Sequence, residues 1–530
     1  MKNKLFYGDN LEVLREIKSE TVDLCYIDPP FNSKRNYNQI YNNIGKEDRA
    51  QAQAFIDTWT WDTDANFALA EIDFHNKKYS IKTVQLIKGL HEVLGKGSLL
   101  AYLLSMTQRI TEIHRVLKST GSFYLHCDPT ASHYLKLVLD SIFCTQGGDY
   151  RNEIRWKRQP VRGAKATGYQ YARNSDCILF YTKSDKATWN NPYKPYDENF
   201  IKNKFRKNAN GRYFRDCDLG DYSQESISNF EEEGKIYVTK NGKKRLIRYL
   251  DEEKGEAIGD IWSDIAELNS QAKERMGYPT QKPEALLERI IQASSDEGDM
   301  ILDAYCGCGT TIAAAQKLNR NWIGIDITYQ SISLILKRLS DTYGESAMNN
   351  ITLWGIPEDI DSAKLLANKQ DDKTRKEFEK WIILTYTNNK AYINEKKGGD
   401  GGIDGISIIV DRDEKQNQVY EKVIFSVKSN ATLSPTVIRD LFGTMAREKA
   451  VMGYLLTLNP MPNLVKSCKE YGAYTNNVMA RDYPKIQVIT AEEILNGSRF
   501  DLPISIDVVK SAERLKAVKE TPTLFEQKPS

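Results

Sequence analysis

The chain has 530 residues, 40% of them hydrophobic, and 74 Lys or Arg against 72 Asp or Glu give a formal net charge of +2. The length predicts roughly three domains, and the composition is globular, which excludes wholesale disorder, a fibrous repeat or a membrane-embedded chain. So balanced a charge does not announce nucleic acid, and any basic surface must be local.

The 8 cysteines, at 25, 127, 144, 177, 217, 306, 308 and 468, show no zinc-ligand spacing and are too sparse for a disulfide scaffold. Reduced thiols in a cytoplasmic protein are the simplest reading. Met1 to Asn10 holds no apolar core of signal-peptide length. The most apolar stretch, Ser98 to Met106, is about half a membrane span, so no membrane association is expected.

In chain order, Leu5-Phe6-Tyr7 reads as a strand, and Gly8-Asp9-Asn10 breaks it. Leu11, Val13, Leu14 and Ile17 mark an amphipathic helix. Val22 to Ile27 is an apolar strand stopped by Asp28-Pro29-Pro30. Short links between strand, helix and strand are the grammar of a parallel α/β sheet. A helix at Ser105 to Leu117 and a strand at Ser122 to His126 continue it.

From Arg151 to Arg215 there are 16 Lys or Arg against 5 Asp or Glu, interleaved with Tyr169, Tyr171, Trp189, Tyr193, Tyr196, Phe205, Tyr213 and Phe214. Basic and aromatic residues in one segment suit phosphate contact and base stacking. A solvated lysine-rich excursion with ordinary core aromatics has the same composition. The α/β grammar resumes with a helix at Glu284 to Ser294, a strand at Met300 to Asp303, a helix at Thr310 to Leu318 and a strand at Trp322 to Asp326. Asn350 to Asp371 reads as a domain boundary with a short helix at Ala363 to Leu366, before a third unit.

Asp303-Ala304-Tyr305-Cys306-Gly307-Cys308-Gly309-Thr310-Thr311 joins a strand to a helix. Gly307 and Gly309 permit a tight turn and close approach of a ligand. Asp326 ends the next strand, where an acid can accept hydrogen bonds from a ribose diol. A dinucleotide site asks for glycine where Ile312 stands, and a P-loop asks for Gly-Lys-Ser/Thr where Gly309 precedes Thr310. S-adenosylmethionine needs the diol acceptor but no pyrophosphate cradle. A tight turn without any ligand also accounts for this loop taken alone. Cys306 and Cys308 have no further Cys or His nearby in sequence and read as small packing residues.

Asp28-Pro29-Pro30-Phe31 follows its strand directly. A strand-ending turn explains the two prolines but neither flanking residue. Asp28 and the Pro29 carbonyl form two fixed acceptors suited to an exocyclic amine with two hydrogens, and Phe31 offers a stacking face. Acceptors on both hydrogens localise the nitrogen lone pair, so direct attack on a methylsulfonium needs no covalent intermediate.

These residues resemble the permuted β group of DNA amino-methyltransferases, in which the catalytic Asp-Pro-Pro-Phe/Tyr precedes the cofactor loop. Gly8-Asp9-Asn10-Leu11, Pro279-Thr280-Gln281-Lys282-Pro283, the loop at 303–311 and the strand ending at Asp326 look like the group's other motifs. The resemblance covers Leu5 to Leu339. It implies a doubly wound, Rossmann-like methyltransferase sheet with both sites at the strand C-termini. It implies catalysis by Asp28, Pro29, Pro30 and Phe31. It also implies S-adenosylmethionine contacts from Asp303, Cys306, Gly307, Gly309, Thr310 and Asp326, with Asp9 nearby and Lys282 toward the methionine carboxylate. Without the family, Asp9 reads as a surface cap and Lys282 as a surface lysine. His126 and Asp128 end a strand expected beside that of Asp28, where they either face the pocket or satisfy local backbone.

Gly398 to Gly405 leads into the strand Ile406 to Val410, and Lys422 to Val427 ends at Lys428. This looks like the Mrr-like branch of the PD-(D/E)xK nucleases. That likeness implies a magnesium site from Asp404, with Lys428 and with Glu395 as a further ligand. Ser426 departs from the pattern, which places an acid or Gln there, and serine is a weak ligand for a hard cation.

The expected division is a methyltransferase domain over 1–345 with a target-recognition insertion over 151–261, a linker over 346–371, a restriction-endonuclease-like α/β domain over 372–505 and a polar tail over 506–530. The expected activity is site-specific methylation of adenine N6 in double-stranded DNA within a restriction–modification system. A restriction subunit and a second copy of the chain are the further candidate partners. The alternatives are a cytosine-N4 methyltransferase and a DNA-binding specificity subunit with a non-cleaving C-terminal domain. Methylation at cytosine C5 is disfavoured because no Pro-Cys nucleophile follows a suitable strand.

Overall fold

A computed structural model of the chain describes residues 3–30, 35–40, 51–57, 59–74, 78–158, 171, 173–208, 210–220, 222–239, 241–269, 272–276, 278, 280–368, 372–394, 402–413, 415–498, 501 and 503–505. Two compact units emerge, one from 1–188 with 263–530 and the other from Trp189–Trp262.

The first unit is built on a mixed α/β sheet. Within this unit its strands follow the order Asp149–Lys157, Ser175–Thr182, Leu117–Cys127, Val22–Ile27, Met300–Asp303, Asn321–Asp326, Asn3–Tyr7 and Ile351–Trp354. The last six are mutually parallel, and the first two join antiparallel. All six residues of Val22–Ile27 are buried, as a strand covered on both faces requires. The helix Ser98–Val116 explains the apolar run at Ser98 to Met106, because its buried residues include Leu100, Leu103, Leu104, Met106 and Ile110. Among the described residues, no helix is long and apolar enough to cross a membrane.

Two expected boundaries shift. Arg151 to Thr182, read from the sequence as the start of the insertion, supplies two strands of the central sheet, because Ile154, Trp156 and Cys177 to Tyr181 are buried. The compact separate unit begins only at Trp189. The stretch 346–371 is no mere linker, since Ile351–Trp354 pairs with Asn3–Tyr7 and the helix Ile360–Ala367 follows. Polar neighbours hid that strand, whose partner lies at the other end of the methyltransferase segment. The tail 506–530 lies outside the described residues.

The unit Trp189–Trp262 holds a four-stranded sheet, Ile236–Val238, Lys244–Tyr249, Tyr213–Asp218 and Arg206–Lys207. Its 14 Lys or Arg are matched by 14 Asp or Glu. Arg206 pairs with Asp216 at 2.6 Å, Arg212 with Asp251 at 2.7 Å and Arg215 with Glu253 at 2.7 Å. The acids that neutralise these arginines follow residue 215, beyond the basic stretch that stands out in the sequence.

A second sheet of the first unit runs Tyr392–Ile393, Gly405–Arg412, Gln418–Lys428, Ala450–Thr457 and Ile486–Thr490. Helix Asp372–Thr387 leads into it and packs Phe378, Trp381, Ile382 and Tyr386 into one apolar cluster with Tyr278, Cys308, Tyr329 and Leu334 of the methyltransferase segment. Glu377 ties the same face, accepting the Tyr329 amide at 2.9 Å and the Tyr7 hydroxyl at 3.3 Å.

Candidate active site

Parallel pairing gathers the ends of distant strands at one edge. Tyr7 stands opposite Asp326, Asp303 opposite Gly324, Leu302 opposite Cys25 and Ile27 opposite Leu125. The residues that leave this edge are Gly8, Asp28, Ala304 and Ile327, so the two motifs that the chain separates most widely become neighbours.

The loop after Asp303 is held from both sides. Asp303 accepts the Tyr305 amide at 3.0 Å and the Thr311 hydroxyl at 2.5 Å, which closes the turn. The Cys306 amide reaches the Ile325 carbonyl at 3.1 Å, and the Gly307 amide reaches Asp326 Oδ2 at 2.9 Å. Asp326 Oδ1 accepts the Thr328 amide at 2.9 Å. Gly307 and Gly309 have φ of 49° and 76°, and a Cβ on Gly309 would stand 2.7 Å from Ile335. Both glycines are therefore required by backbone conformation and packing. Cys306 and Cys308 are buried, and burial pushes both thiols up, which fits small packing residues. Thr310 is buried at the first turn of the helix Thr310–Lys317.

Burial pushes the Asp303 carboxyl up to about 7, against its hydrogen bonds from Thr311 and Tyr305 and with the nearby Asp28 and Asp326 charges adding to the rise. Burial likewise pushes Asp326 up to about 6. A cation bound beside Asp303 and Asp326 would favour their ionised forms.

Asp28 follows the end of Val22–Ile27. Its Oδ2 accepts a hydrogen bond from Lys282 Nζ. Its Oδ1 is buried without a hydrogen-bond partner among the described residues. Pro29 is buried and Pro30 half-buried. Phe31 lies outside the described residues. The family-based expectation for Lys282 pointed to a cofactor carboxylate, whereas here its ammonium lies on Asp28.

Asp9 has a local role. Its Oδ1 caps the helix Asn10–Glu16 through the Leu11 amide at 2.8 Å, and its Oδ2 pairs with Arg109 at 2.9 Å. Asp128 caps the helix Pro129–Ile142 through the Thr130 amide at 2.7 Å. His126 is fully buried between the Tyr26 hydroxyl at 2.9 Å and Asp176 at 3.1 Å. Burial raises the Asp176 carboxyl, but His126, Lys282 and Arg158 outweigh it and hold that carboxyl well below the ordinary carboxylate range. Reading the sequence alone misses Arg109, which binds Asn10 at 2.6 Å while Asn10 donates to the Ala304 carbonyl at 2.7 Å. It also misses Tyr278, whose ring lies against Gly307. No local pattern joins residues so far apart in the chain.

A DNA methylase family model matches residues 22–337, more than half of the chain. The chain belongs to the DNA methylase family. A restriction endonuclease model matches residues 371–495 of this methylase. It is 28% identical over 264 residues to the type II methyltransferase M.EcaI of Enterobacter cloacae, covering 45% of this chain and 58% of that one. It is 25% identical over 353 residues to the Mod subunit of the type III restriction–modification enzyme StyLTI of Salmonella typhimurium, covering 60% and 50%. The match therefore spans only about half the length of those two relatives. The DNA adenine methyltransferase YhdJ of Escherichia coli is 25% identical over 350 residues, covering 63% of this chain and 82% of that one.

In the restriction-endonuclease segment, Asp404 precedes the strand Gly405–Arg412 and its Oδ2 accepts the Val427 amide at 2.6 Å. Ser426 is buried, Lys428 ends the strand Gln418–Lys428, and Glu395 lies outside the described residues. Topology thus brings Asp404 beside the strand that carries Lys428. Among the described residues, no group of three or more His, Cys, Asp or Glu could hold a metal ion. Among the described residues, the expected site offers the Asp404 carboxylate, Ser426 and Lys428.

Proposed function

We infer that the chain is a site-specific DNA methyltransferase that moves a methyl group from S-adenosylmethionine to adenine N6 in double-stranded DNA, within a restriction–modification system. The observation that carries this reading is Asp28 Oδ1, a buried acceptor without a hydrogen-bond partner among the described residues, at the same sheet edge as Asp326. A buried lone acceptor is costly unless a ligand donates to it. An amine with two hydrogens supplies such a donor.

Asp303 and Asp326 at this edge favour S-adenosylmethionine, which carries a sulfonium and an ammonium, over an anionic pyrophosphate or triphosphate. When bound, that cofactor supplies an electrophilic methyl group. Asp326 accepts from the ribose, Gly307 and Gly309 let the ligand lie against backbone, and Cys306 and Thr310 line the turn. Asp303 serves by bracing the loop. Asp28 Oδ1 and the Pro29 carbonyl take the two amine hydrogens, which localises the nitrogen lone pair toward the methyl group. Pro30 fixes the backbone between them and Phe31, whose ring suits stacking on the base. The base must leave the duplex stack to reach this edge, at a cost of a few kcal/mol.

Adenine is favoured by Asp at the head of the catalytic motif and by the likeness to the Escherichia coli adenine enzyme. The likeness to a Mod subunit favours a separate restriction subunit as the cutting partner. Methylation-sensitive sequencing of DNA from cells expressing the chain tests the reading. N6-methyladenine within one recurring site is the expected outcome. N4-methylcytosine would transfer the reading to that base, and unmodified DNA would overturn it.

A further inference from the structure

The geometry points to Lys282 as a positioning residue for Asp28: its ammonium holds one carboxylate oxygen so that the other is oriented toward the target amine. This rests on the methyltransferase reading above.

The two residues lie 254 positions apart in the chain, yet their side chains are only 11% and 18% exposed and joined as an ion pair. The pair engages Asp28 Oδ2 alone, leaving Oδ1 buried and without a partner among the described residues. That asymmetry separates the two oxygens by task. A cation beside a carboxylate favours its ionised form, which only accepts hydrogen bonds. Held through one oxygen, the group also loses rotation about its terminal torsion, so Oδ1 faces one direction.

The loop that delivers Lys282 is braced on both sides. Gln281 accepts the Met276 amide at 2.8 Å and donates to the Glu274 carbonyl at 2.7 Å. Pro283 fixes the other flank with φ of −62°, and the next amide, of Glu284, donates to Glu274 Oε2 at 2.9 Å. Arg338 then pairs with Glu284. Thr280 adopts φ of 63°, a left-handed conformation that a threonine rarely takes. A flexible lysine thus reaches its partner from a rigid mount, so the cost of ordering it is met mainly by the fold. The Lys282 charge also helps to hold the Asp176 carboxyl low.

The pair also assigns Asp28 its chemical part. With Lys282 on Oδ2, Asp28 is left to act through Oδ1 as a hydrogen-bond acceptor. The methyl carbon's bond to sulfur breaks as its bond to nitrogen forms, and the surplus proton of the methylated amine leaves to water.

The test compares the full-length chain with Lys282→Met and Lys282→Arg. Three quantities are measured: S-adenosylmethionine affinity by calorimetry, single-turnover methyl transfer at saturating cofactor, and fluorescence of 2-aminopurine at the target position. Lys282→Met should slow single-turnover transfer by about a hundredfold, the scale of a misplaced reacting group. Its cofactor affinity should stay within about threefold, and Lys282→Arg should recover most of the rate. A weakened cofactor affinity with an unchanged rate at saturation would overturn the proposal and make Lys282 a cofactor ligand. A wild-type chain that methylates no duplex would overturn the functional reading, and the pair is then judged by melting alone. In a cycle of Asp28→Asn, Lys282→Met and the double variant, non-additive melting shifts support it and additive shifts refute it.

Discussion

The Gly307 amide donates to Asp326 Oδ2 at 2.9 Å, tying the loop after one strand to the end of the next. One carboxylate thereby shapes the loop and faces the proposed ribose position. Asp326→Ala should weaken S-adenosylmethionine binding by about 1–3 kcal/mol, the scale of hydrogen bonds to a charged acceptor. Calorimetry measures this directly. Unchanged affinity would move the diol acceptor elsewhere.

Cofactor affinity should fall in acid. Burial raises Asp303 to about 7 and Asp326 to about 6, so both gain protons in the free protein as pH drops below 7. A cationic ligand prefers the ionised acids and must displace those protons. Affinity is therefore full above pH 7 and declines below it, by up to about tenfold per unit for each proton displaced. In the ligand-free chain the same shifts cost stability as pH rises from the ordinary carboxylate range through about 7, because the unfolded chain ionises more readily. Titration calorimetry from pH 8 to 5 checks the first sign, and a flat profile would contradict it.

Asp28→Ala should separate chemistry from binding. Methyl transfer to duplex DNA should fall by at least about a hundredfold, while cofactor affinity changes little. Near-normal turnover in this variant would sink the mechanism.

Glu377 reaches from the restriction-endonuclease segment to the Tyr329 amide and the Tyr7 hydroxyl, beside Asp326. Glu377→Ala leaves both donors without their acceptor and should cost about 1–3 kcal/mol of stability. It should also loosen the start of the helix Tyr329–Tyr343 and weaken cofactor binding slightly. Thermal melting with and without S-adenosylmethionine reads both effects. A melt unchanged in either condition would show that the contact contributes nothing.

The salt dependence of DNA binding should trace mainly to Arg151 to Thr188, with 9 Lys or Arg against 3 Asp or Glu. Within Trp189–Trp262, Arg206 and Arg212 are already paired with acids, so changing each to Gln should move the salt slope by less than about one unit. Changing Arg162, Lys165 and Arg173 should flatten it by roughly one unit for each phosphate contact. The reverse pattern would place the DNA surface on the smaller unit.

The sequence by itself determined the α/β alternation, the two glycines of the loop and the strand-ending Asp28-Pro29-Pro30. Each depends on local chemistry: apolar runs, backbone dihedrals and missing amide hydrogens. Asp9 and Asp128 were legible only as alternatives, since a capping acid and a ligand-facing acid look alike until the helix amides are placed. Tertiary structure alone decided that Lys282 meets Asp28, that Arg109 meets Asp9 and that Glu377 meets Tyr329. It also decided that Ile351–Trp354 completes the sheet and that acids after residue 215 cancel the basic run before it. These are long-range pairings, set by strand order and by packing between segments, and charge or polarity along the chain carries no record of which partner will arrive.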